Sequence, residues 1–270
     1  AGKISSNKML YTDARDIDFN SYKRLFVIGC SFTHWLWPTW ADIIAHEHPH
    51  LEYHNFGVPG AGNDYIQTML SQLERAYHLG EQDLVMIMWS SFHRETIYSL
   101  YDPEQNEMAD CIISQTPKME VNKSVFNWRS TSDMISQKIV DNSKSHICDP
   151  RGYLIKNLAI IDNVTKILQV ASYSSAQMMS VAVDAQDQFD TTALPAPIDD
   201  IINMYSDINN NMLGDCYYDY AGYVFNQITW DDGDQDYHPR SVQYYNYLKS
   251  LNIRELIIRQ NPYLNINITN

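Results

Sequence analysis

The sequence predicts an α/β protein in which helices cover both sides of a parallel β-sheet, a three-layer sandwich. Two observations predict this fold class. Short apolar runs typical of buried strands alternate along the chain with longer segments whose apolar residues recur at helical spacing. Parallel neighbours need crossover connections, and the helical segments supply them. With 270 residues, the chain is long enough for one large domain of this kind with insertions.

Four strands are expected. Leu25 to Ile28 is an apolar run that ends at Gly29, and residues 83–89 form the most continuous apolar run, which is typical of a central parallel strand. The other two strands are predicted at 51–57 and 179–184. Residues 1–22 are polar, and we expect either a loosely attached arm or one short element there.

Helices are predicted between and after these strands, at 35–45, 64–79, 153–177 and from Pro239 onward. Pro38 suits the first turn of the first helix, because a proline there loses no intrahelical hydrogen bond. Two polar stretches without a clear period, about 90–150 and 186–230, are predicted to be insertions, and 256–270 is predicted to be a tail. We therefore expect one domain over residues 1–270.

Composition excludes several classes of function. A formal net charge of -14 argues against nucleic acid as the main partner, since phosphate backbones repel an acidic surface. No apolar run approaches the ~20 residues of a bilayer span, so no membrane partner is expected. The polar first residues lack the apolar core of a signal peptide, and a cytoplasmic location is expected. The four cysteines form no CxxC, which favours free thiols; no metal or other cofactor is expected.

Ser31 is a candidate nucleophile. It follows the first predicted strand, at the edge of the sheet where α/β proteins bind ligands. A serine hydroxyl needs an imidazole to take its proton and a carboxylate to orient that imidazole, and His238 and Asp236 supply both just before the last helix. The alternatives are that Ser31 is a helix N-cap and that Asp236 and His238 belong to a solvated acidic loop.

A glycine-rich loop at residues 55–63 offers a second feature of acyl-transfer chemistry. Such reactions form an oxyanion, which backbone N–H groups at the start of a helix stabilise. The side chain of Asn63 could add a further N–H donor. No Lys-Ser/Thr pair follows the glycines, so a P-loop is rejected.

Four blocks of sequence carry a family resemblance: Gly29-Cys-Ser31-Phe-Thr, Asn55-x-Gly-x-x-Gly60, Trp89-Ser-Ser91 after the third strand, and Asp236-x-His238-Pro. In this order they resemble the blocks of the SGNH/GDSL hydrolases. The resemblance implies a flavodoxin-like sandwich and serine esterase or deacylase activity. By it Ser31 is the nucleophile and one backbone oxyanion donor, Gly60 is the second donor, His238 is the base and Asp236 orients it.

Three positions depart from that family pattern. Gly-Cys-Ser replaces Gly-Asp-Ser, and Trp89-Ser90-Ser91 replaces the block that carries an oxyanion asparagine, for which Ser91 or Asn63 could substitute. The acid position three residues before His238 is Gln235, so Asp236 is chosen, with Asp234 in reserve. The alternatives are therefore a degenerate SGNH domain that binds a ligand or serves as a structural subunit, or an acyltransferase.

Further residues are expected near this site. Trp89, His93 and Arg94 are candidate substrate-binding residues, the last two for a carboxylate or phosphate, although a surface ion pair is the alternative for them. The 19 tyrosines and 6 tryptophans favour a carbohydrate ester as substrate, or a homo-oligomer interface. The Gly-Cys-Ser-Phe-Thr sequence also resembles SGNH-like proteins of tailed phages, which would imply assembly into a larger particle, the virion.

Two metal motifs are rejected. His46-Glu-His-Pro-His50 matches HExxH, but Pro49 would break the helix that must carry both histidines. Asp232, Asp234 and Asp236 have the spacing of a calcium loop but lack its glycine and its final glutamate. Cys30 is an alternative nucleophile, although a buried thiol is expected there.

Overall fold

Five parallel strands form the central sheet of the protein. The computed structural model describes residues 9–92, 150–180, 207–214, 216–217, 228–229, 235–236 and 238–253. The strands are β1 (Leu10–Tyr11), β2 (Arg24–Gly29), β3 (Glu52–Gly57), β4 (Asp83–Trp89) and β5 (Ser174–Met179), in the order β1-β5-β4-β2-β3. A separate antiparallel pair joins β6 (Ile228–Thr229) to β7 (Gln235–Asp236). The described helices are α1 (Trp40–Glu47), α2 (Asn63–Tyr77), α3 (Pro150–Val170) and α4 (Ser241–Ser250).

The helices lie in pairs on the two faces of the sheet. From β2 the chain moves outward to β3 and then crosses back over β2 to reach β4. Because crossovers between parallel strands are right-handed, this reversal puts α1 and α2 on opposite faces. Helix α1 contacts α4, and α2 contacts α3. The predicted α/β sandwich with a parallel sheet is therefore confirmed, and the order β3-β2-β4-β5 is that of a flavodoxin-like sheet, with β1 in the fifth position.

The predicted bounds of strands and helices differ most from the observed bounds around β5. Strands β2, β3 and β4 and helix α2 lie within a residue or two of their predicted bounds. The prediction of a helix to Gln177 and a strand at 179–184 is wrong, since α3 ends at Val170 and β5 spans Ser174–Met179. This strand contains polar residues, so it lacks the apolar run from which strands were predicted. Gln177 is fully buried, and its side chain accepts a hydrogen bond from Trp89 Nε1 (2.9 Å).

Residues 9–22 pack against the rest of the domain through several buried side chains, so for them the predicted loose arm is wrong and the alternative of a short element is confirmed. Strand β1 pairs with β5, with Leu10 opposite Ser175. The chain then makes two 3-10 turns, and the side chains of Ile17 and Phe19 are almost completely buried. The hydroxyl groups of Tyr11 and Tyr22 hydrogen-bond to each other inside the protein. Burial of the Tyr11 hydroxyl disfavours its charged form and so raises the pKa of Tyr11, and the hydrogen bond to Tyr22 adds to this.

Helix α1 begins later than predicted. Thr39 precedes it as the N-cap, and the Thr39 N–H donates to the Asp42 carboxylate (2.8 Å), which is half of a capping box. Pro38 therefore lies before the cap and not in the first turn. The side chains of Trp40, Ile43 and Ile44 have no exposed surface and form the inner face of α1.

The two predicted insertions and the tail lie largely outside the described residues. In the second, the short 3-10 turn Ile208–Asn211 leads to Leu213, whose N–H donates to the Gln177 carbonyl (2.9 Å). Met212 and Tyr217 are also buried. This part of the stretch therefore packs against the sheet beside β5 and belongs to the core.

A bidentate ion pair joins the starts of β2 and β4. Arg24 Nε and Nη2 each donate to one oxygen of the Asp83 carboxylate at 2.7 Å, and this side chain is only 3% exposed. Replacing Arg24 with methionine leaves the buried carboxylate without its counter-charge, so we expect the free energy of unfolding to fall by about 3 kcal/mol. Chemical denaturation measures the loss.

The exposed pair of Arg15 with Asp13 supplies the matched control. The Arg15 side chain is 67% exposed, and such pairs contribute little because water screens them. We expect Arg15→Ala to change the free energy of unfolding by less than about 0.5 kcal/mol. Equal losses in Arg24→Met and Arg15→Ala would contradict this account of the Arg24–Asp83 pair.

Candidate active site

Ser31 lies in a tight turn directly after β2. The turn is closed by two hydrogen bonds to the Cys30 carbonyl, from the N–H groups of Thr33 (2.9 Å) and His34 (3.2 Å). Strand β2 stands between β3 and β4, where the strand order reverses, and ligands of open α/β sheets bind at this point. Ser31 is 2% exposed. Among the residues described, no hydrogen bond joins its hydroxyl to His238.

Two glycines let this turn fold back onto the ends of the strands. A Cβ atom at Gly29 would lie 2.0 Å from Thr33 Oγ1, and one at Gly57 would lie 2.8 Å from the Cβ of His34. Both distances are shorter than any non-bonded contact allows. Glycine is therefore required at the ends of β2 and β3, because the turn that contains Ser31 lies too close to leave room for a side chain.

Asn55 in β3 holds the same turn from the side. Its Nδ2 donates to the Thr33 carbonyl (2.9 Å), and its Oδ1 accepts from the Gly57 N–H (2.9 Å). The Thr39 hydroxyl donates to the same Thr33 carbonyl (2.7 Å). Sequence reasoning named Asn55 only as part of a motif and missed this role. The available signal was a polar side chain inside a strand, two residues before its closing glycine.

Gly60 lies beside the Ser31 turn, in the loop after β3. The Val58 N–H donates to the Gly29 carbonyl (3.0 Å), so the loop is attached to the end of β2. The Ala61 N–H donates to the Val58 carbonyl (3.0 Å) and closes a turn in which Gly60 has a φ of 83°. Pro followed by Gly is typical of a type II turn. No residue of the described chain accepts a hydrogen bond from the Gly60 N–H, so this group is available to a ligand.

The prediction that Asn63 donates to an oxyanion is corrected. Its side chain has no exposed surface, and its Nδ2 donates to the Ser90 carbonyl (3.1 Å) and to Asn157 Oδ1 (2.8 Å). Its Oδ1 accepts from the Ser90 N–H (2.8 Å). Asn157 in turn donates to the Phe92 carbonyl (2.9 Å). The amide of Asn63 therefore ties the end of β4 to α2 and α3, and its N–H groups are already used.

Other candidate site residues lie at or after the end of β4, and the structure describes two of them. Trp89 has no exposed surface and is hydrogen-bonded to Gln177 in the core, which corrects its prediction as a substrate-binding residue. Ser91 follows β4 at the same edge of the sheet as Ser31 and is partly exposed. His93 and Arg94 lie outside the described residues.

His238 lies beside the residues that follow Ser31. Its imidazole stacks on the indole of Trp35, with ring centroids 3.6 Å apart and planes inclined by 20°. The ring of Phe32 meets it edge-on, with centroids 5.8 Å apart. The loop of His238 and the turn of Ser31 thus share one edge of the sheet, although about two hundred residues separate them in the chain.

Asp236 lies in β7, two residues before His238, and its partner across the ladder is Ile228. Asp234 lies outside the described part of the chain. Cys30 is 2% exposed and has a free thiol, as expected of a buried cysteine. Helix α1 ends at Glu47, before Pro49, so the predicted break within the HExxH match is confirmed. Among the described residues, no three potential ligands lie together in an arrangement that could hold a metal ion.

Comparisons with known proteins find similarity at the level of structure and not of sequence. No protein-family model and no curated protein matches the chain. A solved structure of a member of the lipolytic protein G-D-S-L family from Veillonella parvula DSM 2008 aligns with 88% of this chain and 99% of its own, with 10% sequence identity and a TM-score of 0.43. None of the described helices combines the length and apolar character that crossing a bilayer requires.

Proposed function

We propose that the protein is an SGNH-type serine hydrolase that cleaves an ester bond. The observation that supports this most is the packing of the His238 ring against Trp35 and Phe32, next to Ser31. A nucleophile at the switch point of the sheet and an imidazole beside the same turn are what acyl transfer to serine needs. The order of the motifs along the sequence adds to the case.

The reaction has two balanced steps. In the first, His238 takes the proton from the Ser31 hydroxyl while the oxygen attacks the ester carbonyl carbon. The tetrahedral intermediate collapses, and the alcohol leaves with the proton from His238, so that an acyl group remains on Ser31. In the second step, His238 deprotonates a water molecule that attacks the acyl carbonyl. The carboxylic acid leaves, and Ser31 recovers its proton.

Backbone N–H groups stabilise the oxyanion in both steps. The donors are the N–H groups of Ser31 and Gly60, from adjacent loops at the same edge of the sheet, with Ser91 on the β4 side as a third donor. Asp236 orients the imidazole, with Asp234 as the alternative acid. Asn63 has no part in this proposal, because its amide is hydrogen-bonded within the fold.

The finer proposal for the substrate is an O-acetyl ester on a carbohydrate. Trp35 and Trp37 are partly exposed and lie next to His238, and aromatic rings at the edge of a site stack on sugar faces. Comparison of acetylated sugars with p-nitrophenyl esters of increasing acyl length tests this choice. Faster turnover of long-chain esters than of acetyl esters would contradict it.

A fluorophosphonate probe tests the proposed function directly. Such probes phosphonylate only a serine that an adjacent base activates, so we expect one modified peptide, with the label on Ser31, as measured by mass spectrometry. His238→Gln is the matched variant, and we expect the labelling rate to fall by at least about 100-fold, since the base is lost. Labelling that is unaffected by this variant would contradict the assigned roles.

A specific observation favours a second candidate, an SGNH domain that binds a ligand without catalysing a reaction. The position of the family's oxyanion asparagine is occupied by serine, and Asn63, which could have replaced it, is used inside the fold. Absence of labelling by the probe, together with stable co-purification with a larger particle, would support this candidate. An acyltransferase uses the same residues, and transfer of the acyl group to an added alcohol instead of water would identify it.

A further inference from the structure

We propose that Trp35 and Trp37 are positioning residues that hold the imidazole of His238 beside Ser31. We call residues 35–38 the tryptophan loop. This inference rests on the proposed function, because it assigns the loop a role in placing the proposed base. The loop directly follows the Ser31 turn, which ends at His34, so the same short segment carries the nucleophile and the support for its base.

The first support is the stack of Trp35 on His238. A histidine that precedes a helix in a loop has two side-chain torsions to fix, and an isolated loop fixes neither. A stacked indole 3.6 Å away fixes the plane of the imidazole and covers one of its faces. Both ring nitrogens lie at the edge of the imidazole, so a ring stacked on its face does not cover them.

The second support is two hydrogen bonds that join the tryptophan loop to residues 239–241, which directly follow His238. Trp37 Nε1 donates to the Pro239 carbonyl (2.7 Å), and Ser241 Oγ donates to the Pro38 carbonyl (2.7 Å). Each bond joins residues more than 200 positions apart. The guanidinium of Arg240 also lies over the Trp37 ring, 5.1 Å from its centroid. The tryptophan loop therefore holds the backbone of residues 239–241 as well as the ring of His238.

The third support is the rigidity of the loop at both of its ends. On one side, the Thr33 carbonyl accepts hydrogen bonds from Asn55 and Thr39. On the other, Thr39 caps α1. The Ser31 turn, the tryptophan loop and the start of α1 are thus one connected framework, and His238 is bound to it by Trp35. Displacement of a catalytic group by about 1 Å can cost 100-fold in rate, which is what such a framework prevents.

Steady-state kinetics of matched variants test the inference, with the p-nitrophenyl ester that the wild type turns over fastest. On an ester without a sugar, we expect Trp35→Leu to lower kcat by about 10- to 100-fold and to leave KM within about twofold, since the base is misplaced and no sugar stacks on the ring. Trp35→Phe keeps an aromatic face and should restore most of kcat. Val170→Ala, at a side chain that is 84% exposed at the end of α3, should leave both constants unchanged.

Trp37→Phe tests the hydrogen bond separately. It keeps the ring and removes only the Nε1 donor to the Pro239 carbonyl, and we expect kcat to fall about 3- to 10-fold, which is the loss of one hydrogen bond. Thermal unfolding of each variant is measured alongside, so that a loss of kcat in a folded variant is not attributed to instability.

Fluorescence provides a readout that does not depend on activity. A protonated imidazole quenches a stacked indole by contact, so emission should fall as pH decreases through the titration of His238. We expect this transition to disappear in both Trp35→Phe and His238→Gln and to persist in His34→Gln, which removes the titratable neighbour of Trp35 on its own segment. Arg240 stays charged throughout and contributes no transition.

The outcomes separate the inference from the proposed function. Loss of the transition in both variants together with the drop in kcat supports the inference. Absence of the transition in the wild type, or full kcat in Trp35→Leu, overturns it. A normal transition in a protein that turns over no ester and takes no fluorophosphonate label overturns the proposed function, and with it the catalytic role of the loop, while leaving the stack of Trp35 on His238 intact.

Discussion

Ser31→Ala is expected to lower kcat/KM for ester hydrolysis by at least about 1,000-fold while leaving the protein folded. Removal of a nucleophile eliminates the acyl-enzyme route, and only the residual effect of binding and of the oxyanion donors remains. The fold tolerates the change, because the Ser31 hydroxyl makes no hydrogen bond to another described residue. Hydrolysis of p-nitrophenyl acetate at pH 7–8 measures the activity, and thermal unfolding confirms that the structure is retained.

Cys30→Ala is the matched control for this experiment. It removes the neighbouring thiol, the alternative nucleophile, from a buried position on the same turn. We expect ester hydrolysis to stay within about threefold of the wild type, because a small buried thiol contributes packing and no chemistry. The reverse pattern, with activity lost in Cys30→Ala and kept in Ser31→Ala, would move the nucleophile to Cys30.

Gly29→Ala is expected to cause the largest loss of stability, with the free energy of unfolding lowered by about 3 kcal/mol or more. The added Cβ would lie 2.0 Å from Thr33 Oγ1 and 3.0 Å from the Met88 carbonyl oxygen, so the Ser31 turn must move away from the sheet. Ester hydrolysis should fall in the same variant, since the turn carries the nucleophile. Chemical denaturation and the same ester assay measure the two effects.

Gly80→Ala is the control, since no atom lies within 4 Å of its added Cβ. We expect it to be neutral or to stabilise the protein by about 0.5 kcal/mol, because alanine restricts the unfolded chain more than glycine. In Gly29→Ala, adding Thr33→Ala removes the closest clashing atom and should recover part of the loss. If Gly29→Ala were as stable as Gly80→Ala, the close packing of the turn on β2 would be disproved.

The strand that the sequence predicts most accurately is the one whose burial is almost purely apolar. All seven residues of β4 are buried, and six of them are the apolar run Leu84 to Trp89 that the sequence makes obvious. Strand β5 is equally buried but contains serines and Gln177, whose amide is hydrogen-bonded to Trp89 and Thr165 elsewhere in the chain. Hydropathy cannot reveal such partners. Strand β1 is two residues long, too short for any period to show.

The candidate site follows the same division. Ser31 and His238 are proposed from local patterns, a glycine after a strand and an Asp-x-His-Pro before a helix, and their catalytic roles stay predictions. Asn63 could not be assigned correctly, since its hydrogen bonds to Ser90 and Asn157 depend on where α3 packs. In the sequence, Trp35 is one aromatic residue among many. Its stack on His238 arises from the approach of two distant segments, which no local pattern encodes.

The position of β1 affects how this chain folds. The strand that lies beside β5 comes from residues 10–11, and its first bond to β5 runs from the Ser175 N–H to the Met9 carbonyl. An emerging polypeptide must therefore carry these early residues unpaired until residue 179 has been synthesised. Contacts of such long sequence separation form slowly. A shortened chain lacking Leu10 and Tyr11 would leave the backbone of β5 unpaired along this side, as an exposed sheet edge with which a strand of another molecule could pair.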